Sequence, residues 1–248
     1  MVDYESLARN RPSADALRLR IAQQIQRGRT AYEGRLPNDR ELEALEEQCL
    51  PTRTLQTGVS ADDASWEDLT ERRKTSEYWR KHCQTVGFMM NRLARLLKQD
   101  EHLWRVTGLV HDYDFLTWPH YDEKTAPDKA HPTALSTELL EMGFPLVLVL
   151  AVLEHSPHLQ QPPSSPLSHA LILCDEHATM TGAGQIPVYD DEADEIIACL
   201  ERGQKITGYW RDDMQTRAQR AITPLVGILK SAEKSQFATA FSLGGWTL

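Results

Sequence analysis

The segment GLVHDYDF, residues 108–115, places an adjacent histidine and aspartate, His111 and Asp112, directly behind a short apolar run. Its first part ends a helical pattern that predicts a helix over 101–112. An irregular polar and aromatic loop over 113–130 is expected to follow. Neighbouring residues on a helix point about 100° apart, so both side chains can reach one ion only near a helix end. The segment therefore predicts a metal-binding corner where an apolar helix stops.

Helical periodicity extends outward from this corner over most of the chain, and long alternating strand patterns are absent. Ser13 is expected to cap the first helix and Gly28 to end it, while Asn38 and Glu41 have the spacing of a capping box. The sequence therefore predicts an all-α helical bundle, with helices over 14–28, 39–49, 76–99, 101–112, 132–142, 145–155, 166–180, 190–202 and 209–230.

The composition is that of a globular protein with an acidic balance. Hydrophobic residues make up 41% of the chain, enough for a sizeable core, and the formal net charge is −9. An acidic chain gains nothing from releasing the counterions of a nucleic acid, so we expect no general nucleic-acid binding. A small anionic substrate is still allowed, because a bound metal ion can supply the local positive charge.

The N-terminal sequence and the apolar runs indicate the cellular location of the protein. The N-terminal sequence MVDYESLARNRPS lacks the apolar core of a signal peptide, and the longest apolar run, 144–153, is too short to span a bilayer. We therefore expect a cytoplasmic protein with no membrane segment. The cysteines form no C-x-x-C pair and are expected to be reduced thiols in the core, namely Cys49, Cys83, Cys174 and Cys199.

Further histidines and one aspartate fall in the other helices of the predicted bundle. A helical bundle can aim such side chains inward from several helices at one point. Imidazole and carboxylate ligands together suit Mn, Fe, Co, Ni or Zn rather than Ca. We therefore predict a site for one or two divalent metal ions, formed by His82, His111, Asp112, His131, His155 and Asp175.

This order of ligands resembles the HD superfamily of metal-dependent phosphohydrolases, and is closest to a small bacterial branch predicted to be HD hydrolases. The flanking residues resemble it as well: GLVHDYDF for the HD segment, HPTALSTELLEMGFP (131–145) for a helix led by histidine, and LSHALILCDEHATMTG (167–182) for the helix that bears the last aspartate. The resemblance covers roughly 76–184. It departs where Tyr113 and Asp114 replace a frequent Ile-Gly, and in the proline-rich stretch 156–165.

The resemblance implies how the ligands are divided and what they do. His82, His111, Asp112 and Asp175 would form the core site, and Asp112 would bridge to a second ion held by His131 and His155. It also implies a hydrolase in which a metal-activated water attacks the phosphorus of a small phosphate ester or nucleotide.

Other polar residues are assigned roles from their positions. Asp114 would orient the attacking water or a ligand histidine, with turn capping as the rival interpretation. Lys81, next to His82, is a further catalytic candidate, and we expect Glu176 to face solvent. Candidate substrate contacts lie in the loop after the HD pair: His120, Lys124 and Lys129.

The polar stretch 51–65 and the extent of the resemblance together divide the chain into three parts. Residues 1–65 are expected to form an N-terminal helical extension that ends in a polar linker, 66–184 the HD metal-binding domain, and 185–248 a helical segment packed on it. The terminal parts would cap the pocket or form the surface of a homodimer. Two other functions stay open: an HD-type di-iron oxygenase for a small organic substrate, and a non-catalytic HD module for regulation or assembly.

Overall fold

The computed structural model describes residues 13–38, 40–41, 76–117, 131–181, 189–202 and 212–243, and every regular element within these ranges is helical. The all-α prediction is therefore confirmed. In chain order the helices are α1 (Ala14–Gln26), α2 (Ser76–Leu97), α3 (Glu101–Val110), α4 (Asp114–Thr117), α5 (Thr133–Glu141), α6 (Leu146–His155), α7 (Pro166–Thr181), α8 (Tyr189–Arg202) and α9 (Asp212–Leu243).

Local hydrogen bonds set the helix ends that the sequence predicts. The Ser13 hydroxyl accepts from the Ala16 backbone N–H at 3.3 Å. The capping box is also confirmed, because the Glu41 N–H donates to the Asn38 side chain at 2.9 Å and the Asn38 N–H donates back to the Glu41 carboxylate at 3.0 Å. These bonds satisfy backbone donors that a helix start leaves without partners. The rest of the helix predicted over 39–49, and the linker 51–65, lie outside the described residues.

Two glycines let α2 and α3 approach each other closely. A Cβ atom added to Gly108 would lie 2.7 Å from the backbone of Gly87, a distance at which the helices would have to separate. Because neither glycine carries a side chain, the two backbones meet directly. His82 lies five residues before Gly87 and His111 three residues after Gly108, so this crossing brings the first two site histidines together.

The hydrophobic core surrounds α6, in which every residue but the partly buried Leu150 is buried. Such a helix must be covered on all sides, and α7 supplies part of that cover. The C-terminal helix α9 adds the buried residues Ala218, Ala221 and Leu225, which are spaced three and four residues apart and so lie on one face. Cys83, Cys174 and Cys199 are buried free thiols, as predicted, and Cys49 lies outside the described residues.

A buried carboxylate fastens the N-terminal helix to the core. Glu154 is 1% exposed, and Arg18 of α1 lies 2.7 Å from one of its oxygens. The other oxygen accepts from the Ser164 backbone at 2.8 Å and from the Ser168 hydroxyl at 2.7 Å. A buried carboxylate needs partners of this kind, since an unpaired buried charge is costly. Through Glu154, α1 and the proline-rich stretch 156–165 are both held against the end of α6.

Two expectations about elements need correction. Residues 113–130 were expected to be irregular, but α4 forms one helical turn at Asp114–Thr117, and only 118–130 lies outside the described residues. The last helix was expected to end at 230 but continues to Leu243. Across the described residues, no helix is both long and apolar enough to cross a membrane.

Candidate metal centre

Six side chains from five segments of the bundle meet beside the α2–α3 crossing. They form two overlapping groups, and within each group the ligand atoms lie within 4.8 Å of one another. The first group is His82, His111, Asp112 and Asp175, and the second is Asp112, His131 and His155. They are the residues named as ligands from the sequence, and the aspartate of the HD pair belongs to both groups.

The first group lies deepest in the bundle. His82 projects from α2, and its Nε2 atom is 3.3 Å from His111 Nε2 and 3.2 Å from Asp175 Oδ1. His111 Nε2 is in turn 3.3 Å from Asp112 Oδ2 and 3.7 Å from Asp175 Oδ1. Both histidines are fully buried. Two imidazole nitrogens and two carboxylate oxygens therefore face one point.

The second group uses the other oxygen of the same aspartate. Asp112 Oδ1 is 3.2 Å from His131 Nε2 and 3.4 Å from His155 Nε2, and these two nitrogens are 3.1 Å apart. His131 stands just before α5, and His155 is the last residue of α6. Asp112 thus presents one oxygen to each group. This is possible because α3 ends at Val110 and not at 112 as expected, which leaves the HD pair in the turn between α3 and α4.

Hydrogen bonds fix which nitrogen of three imidazoles faces the centre. His111 Nδ1 lies 2.8 Å from the Gly108 carbonyl, and His155 Nδ1 lies 2.6 Å from the Val152 carbonyl. A carbonyl oxygen only accepts, so each Nδ1 carries the proton and donates it. His131 Nδ1 donates to Asp114 at 2.9 Å. Each Nε2 is therefore left as the atom that can bind a metal ion.

This donor set fits a divalent metal. The Nε2 atoms of His131 and His155 are 3.1 Å apart, and each ring already donates through Nδ1. Two neutral rings would therefore point lone pairs at each other, which is unfavourable unless a cation lies between them. Nitrogen and carboxylate ligands of this kind suit a first-row transition metal. The buried groups could thus hold divalent metal ions, and the choice of metal stays a prediction.

A family model described as the HD domain matches residues 79–235, well over half of the chain. The chain belongs to the HD domain family. The match ends some fifty residues beyond the motifs quoted from the sequence, so it includes α8 and the first three quarters of α9. Neither the search of curated proteins nor the search of solved structures gives a match. The division of the chain after residues 65 and 184 stays a prediction.

Burial and neighbouring charges shift the pKa values in this HD centre in opposite directions. Burial raises the pKa of the Asp112 carboxyl, but the facing imidazoles of His111 and His131 outweigh burial and hold that pKa well below its ordinary value. Burial lowers the pKa of His111, yet Asp112 and Asp175 outweigh it and raise the pKa well above the ordinary value. His155 differs, because burial dominates and lowers its pKa.

The remaining predicted site residues are only partly described. Asp114 is buried and accepts from His131 Nδ1, which fits the suggestion from the sequence that it orients a ligand histidine. Lys81 lies next to His82 on α2 and is half-buried, and its catalytic role stays a prediction. The candidate substrate contacts lie outside the described residues: His120, Lys124 and Lys129.

One expectation about this region is wrong. The structure shows instead a contact that the sequence did not predict. Glu176 was expected to face solvent but is 4% exposed. Its carboxylate pairs with Arg217 of α9, whose guanidinium also donates to the backbone carbonyl of His155. Arg217 lies forty-one residues beyond Glu176 on an ordinary amphipathic helix, so no local pattern could have indicated this contact.

Proposed function

We propose that this HD domain protein is a metal-dependent phosphohydrolase that uses two divalent ions to hydrolyse a small phosphate ester or nucleotide. The observation that carries the proposal is the position of Asp112. Its two oxygens face two separate sets of imidazole nitrogens, at 3.3 Å and 3.2 Å from the nearest of them. A carboxylate shared in this way suits a pair of ions, and paired ions are a common arrangement for phosphoryl transfer.

The ligand atoms supplied by the chain would hold these ions. Metal ions bound here would supply Lewis acidity, which activates water and neutralises charge on phosphoryl oxygens. Asp114 would keep the proton of His131 on Nδ1 and so keep Nε2 available. Burial of His82 and His111 would exclude bulk water from the inner side of the centre.

Exposure suggests the side from which substrate would approach. The side chains of Asp175 and His131 are 17% and 12% exposed, whereas those of His82 and His111 are at most 1% exposed. Substrate would therefore reach the ions past Asp175 and His131. We further propose that Lys81 contacts the phosphate, and that the loop after the HD pair does so through His120, Lys124 and Lys129. These cations would complement a phosphate anion in an otherwise acidic chain.

Metal analysis and activity assays together test this proposal. The full chain is purified without oxygen, its metals are identified and counted, and a panel of phosphomonoesters, nucleotides and phosphodiesters is assayed with and without oxygen. We expect about two ions per chain and release of phosphate in both conditions. Asp112→Asn should abolish release, while Asp194→Asn, which removes the same charge from an exposed position on α8, should leave it unchanged.

The alternative functions predict different results. Two irons per chain, with oxygen uptake and no phosphate release, would replace the hydrolase with an oxygenase, because four imidazoles and two carboxylates suit that chemistry as well. A folded chain that binds no metal would leave only a non-catalytic HD module. Size-exclusion chromatography with light scattering in the same preparation tests the predicted homodimer.

A further inference from the structure

We propose that Arg217 is a positioning residue of the metal centre, which holds the backbone that carries the ligand His155. This inference rests on the proposed two-metal function and adds to it a residue outside the ligand set. Arg217 lies on α9, far from the motifs that define the centre in the sequence. Its side chain is 22% exposed, and that of its partner Glu176 is 5% exposed.

Arg217 caps the last carbonyl of α6. His155 is the last residue of α6, and Ser156 after it is extended, with φ −77° and ψ 130°. A helix leaves its last carbonyls without intrahelical partners, and a cation there is favoured by the helix dipole. The Arg217 guanidinium donates to the His155 carbonyl and so satisfies one of them with a charged donor. The backbone that carries a ligand histidine is thereby fixed.

The same guanidinium reaches the other half of the centre. It pairs with Glu176, and Glu176 directly follows the ligand Asp175 on α7. Arg217 therefore connects the end of α6 to α7 beside a ligand residue on each helix. Its planar group has several donors in a fixed geometry, which suits two simultaneous contacts. Without it, the His155 carbonyl would lose this charged donor, and the distance between His155 and the Asp112 oxygen would be less tightly fixed.

The position of His155 is sensitive to this support. Its ring is already fixed to its own helix, because Nδ1 donates to the Val152 carbonyl at 2.6 Å. The ring therefore follows the backbone of the last turn, and a shift of that turn moves Nε2 away from Asp112 and His131. Loss of outer contacts to ligands commonly weakens metal binding by about 10- to 100-fold.

A set of variants separates positioning from a simple structural ion pair. Arg217→Met alone would leave Glu176 buried without its cation, which can itself destabilise the fold. Arg217→Met/Glu176→Gln removes both charges and the bond to the His155 carbonyl. Glu176→Gln alone removes the ion pair but keeps that bond. Arg220→Met is the matched control, because Arg220 lies on the same helix and is exposed.

Metal affinity is the deciding measurement, made with Mn²⁺ and Zn²⁺ by competition with a chelator, while circular dichroism follows the fold. We expect the double variant to remain helical and to bind one of its two ions about 10- to 100-fold more weakly. Glu176→Gln and Arg220→Met should bind both ions like the unchanged chain. A double variant with unaltered affinity for both ions would overturn the positioning role and leave the proposed function intact. An unchanged chain that binds no metal would overturn both.

Discussion

The two halves of the metal centre are built differently, although they share Asp112. The first half takes His82 and Asp175 from within long helices, and the side chains of its two histidines are at most 1% exposed. The second half takes His131 and His155 from helix ends, where the backbone is less constrained. The first half is thus held by core packing around the α2–α3 crossing, and the second depends on contacts from outside the ligand set.

Those outside contacts are specific and come from distant parts of the chain. Asp114 orients the His131 ring, and Arg217 binds the carbonyl of His155. Helix interiors place a side chain through many contacts at once, whereas a helix end needs its own partners. Ligand residues at helix ends therefore need positioning residues, and the second ion should be the easier one to lose.

The largest effect is expected from removing the residue that the halves share. Asp112→Ala deletes the carboxylate that faces both groups, so both ions should be lost. Phosphate release should fall by about 10³-fold or more, since the electrostatic stabilisation of the reacting phosphate is lost. Metal content and steady-state kinetics measure this, and circular dichroism should show an intact bundle. His111→Ala should likewise lower bound metal without unfolding. Unchanged metal content in both variants would remove the site assignment.

Single-ligand variants should separate the two halves. His155→Gln should remove one ion and leave the other, because His155 belongs only to the second group. His82→Gln should remove the ion of the first group instead. Metal counting combined with the visible spectrum of the Co²⁺-loaded protein distinguishes the two vacated positions. If both variants lose both ions together, the halves bind their ions cooperatively and are not separate sites.

A smaller effect is expected from a contact that supports only the second half. Asp114→Asn replaces the carboxylate that accepts from His131 Nδ1 with a neutral amide, whose oxygen can still accept. The affinity for one ion should fall by about 10- to 100-fold, as is common for such outer residues, and the other ion should be retained. Isothermal titration with Zn²⁺ measures both affinities. An equal loss at both positions would show that Asp114 serves the whole centre.

The smallest effect is expected on the protonation of His111 and His155 in the chelator-treated protein. The carboxylates raise the pKa of His111 despite its burial, while burial lowers the pKa of His155. Histidine NMR titration should therefore show His111 changing above pH about 6.5 and His155 below it. Because the folded pKa of His111 is raised, its contribution to stability is full below pH about 6.5 and is lost as pH rises through the folded value.

A matched variant tests the sign of this linkage. The difference in melting temperature between the chelator-treated chain and its His111→Gln variant should be larger at pH 6 than at high pH. A difference that grows as pH rises would contradict the raised pKa. His155→Gln should show no such decrease, because the folded pKa of His155 is lowered and its imidazole is already neutral near pH 7.

The sequence predicted the parts of this protein that depend on local pattern. The capping box at Asn38 and Glu41 was readable because the contacts of a helix start lie within three residues. The ordered His and Asp positions indicated the HD family, which the family match confirms. Helix boundaries beyond such caps, as at the end of α9, were less certain because packing rather than local preference decides them.

What the sequence determined by itself was the helical class, the family, and the residue types that could bind a metal. Only the tertiary structure decided that one carboxylate faces two groups and that Glu176 is buried against Arg217. The physical reason is that these features depend on helices separated by tens of residues. Their relative placement follows from close packing, such as the glycine crossing of α2 and α3, and not from the periodicity of any single segment.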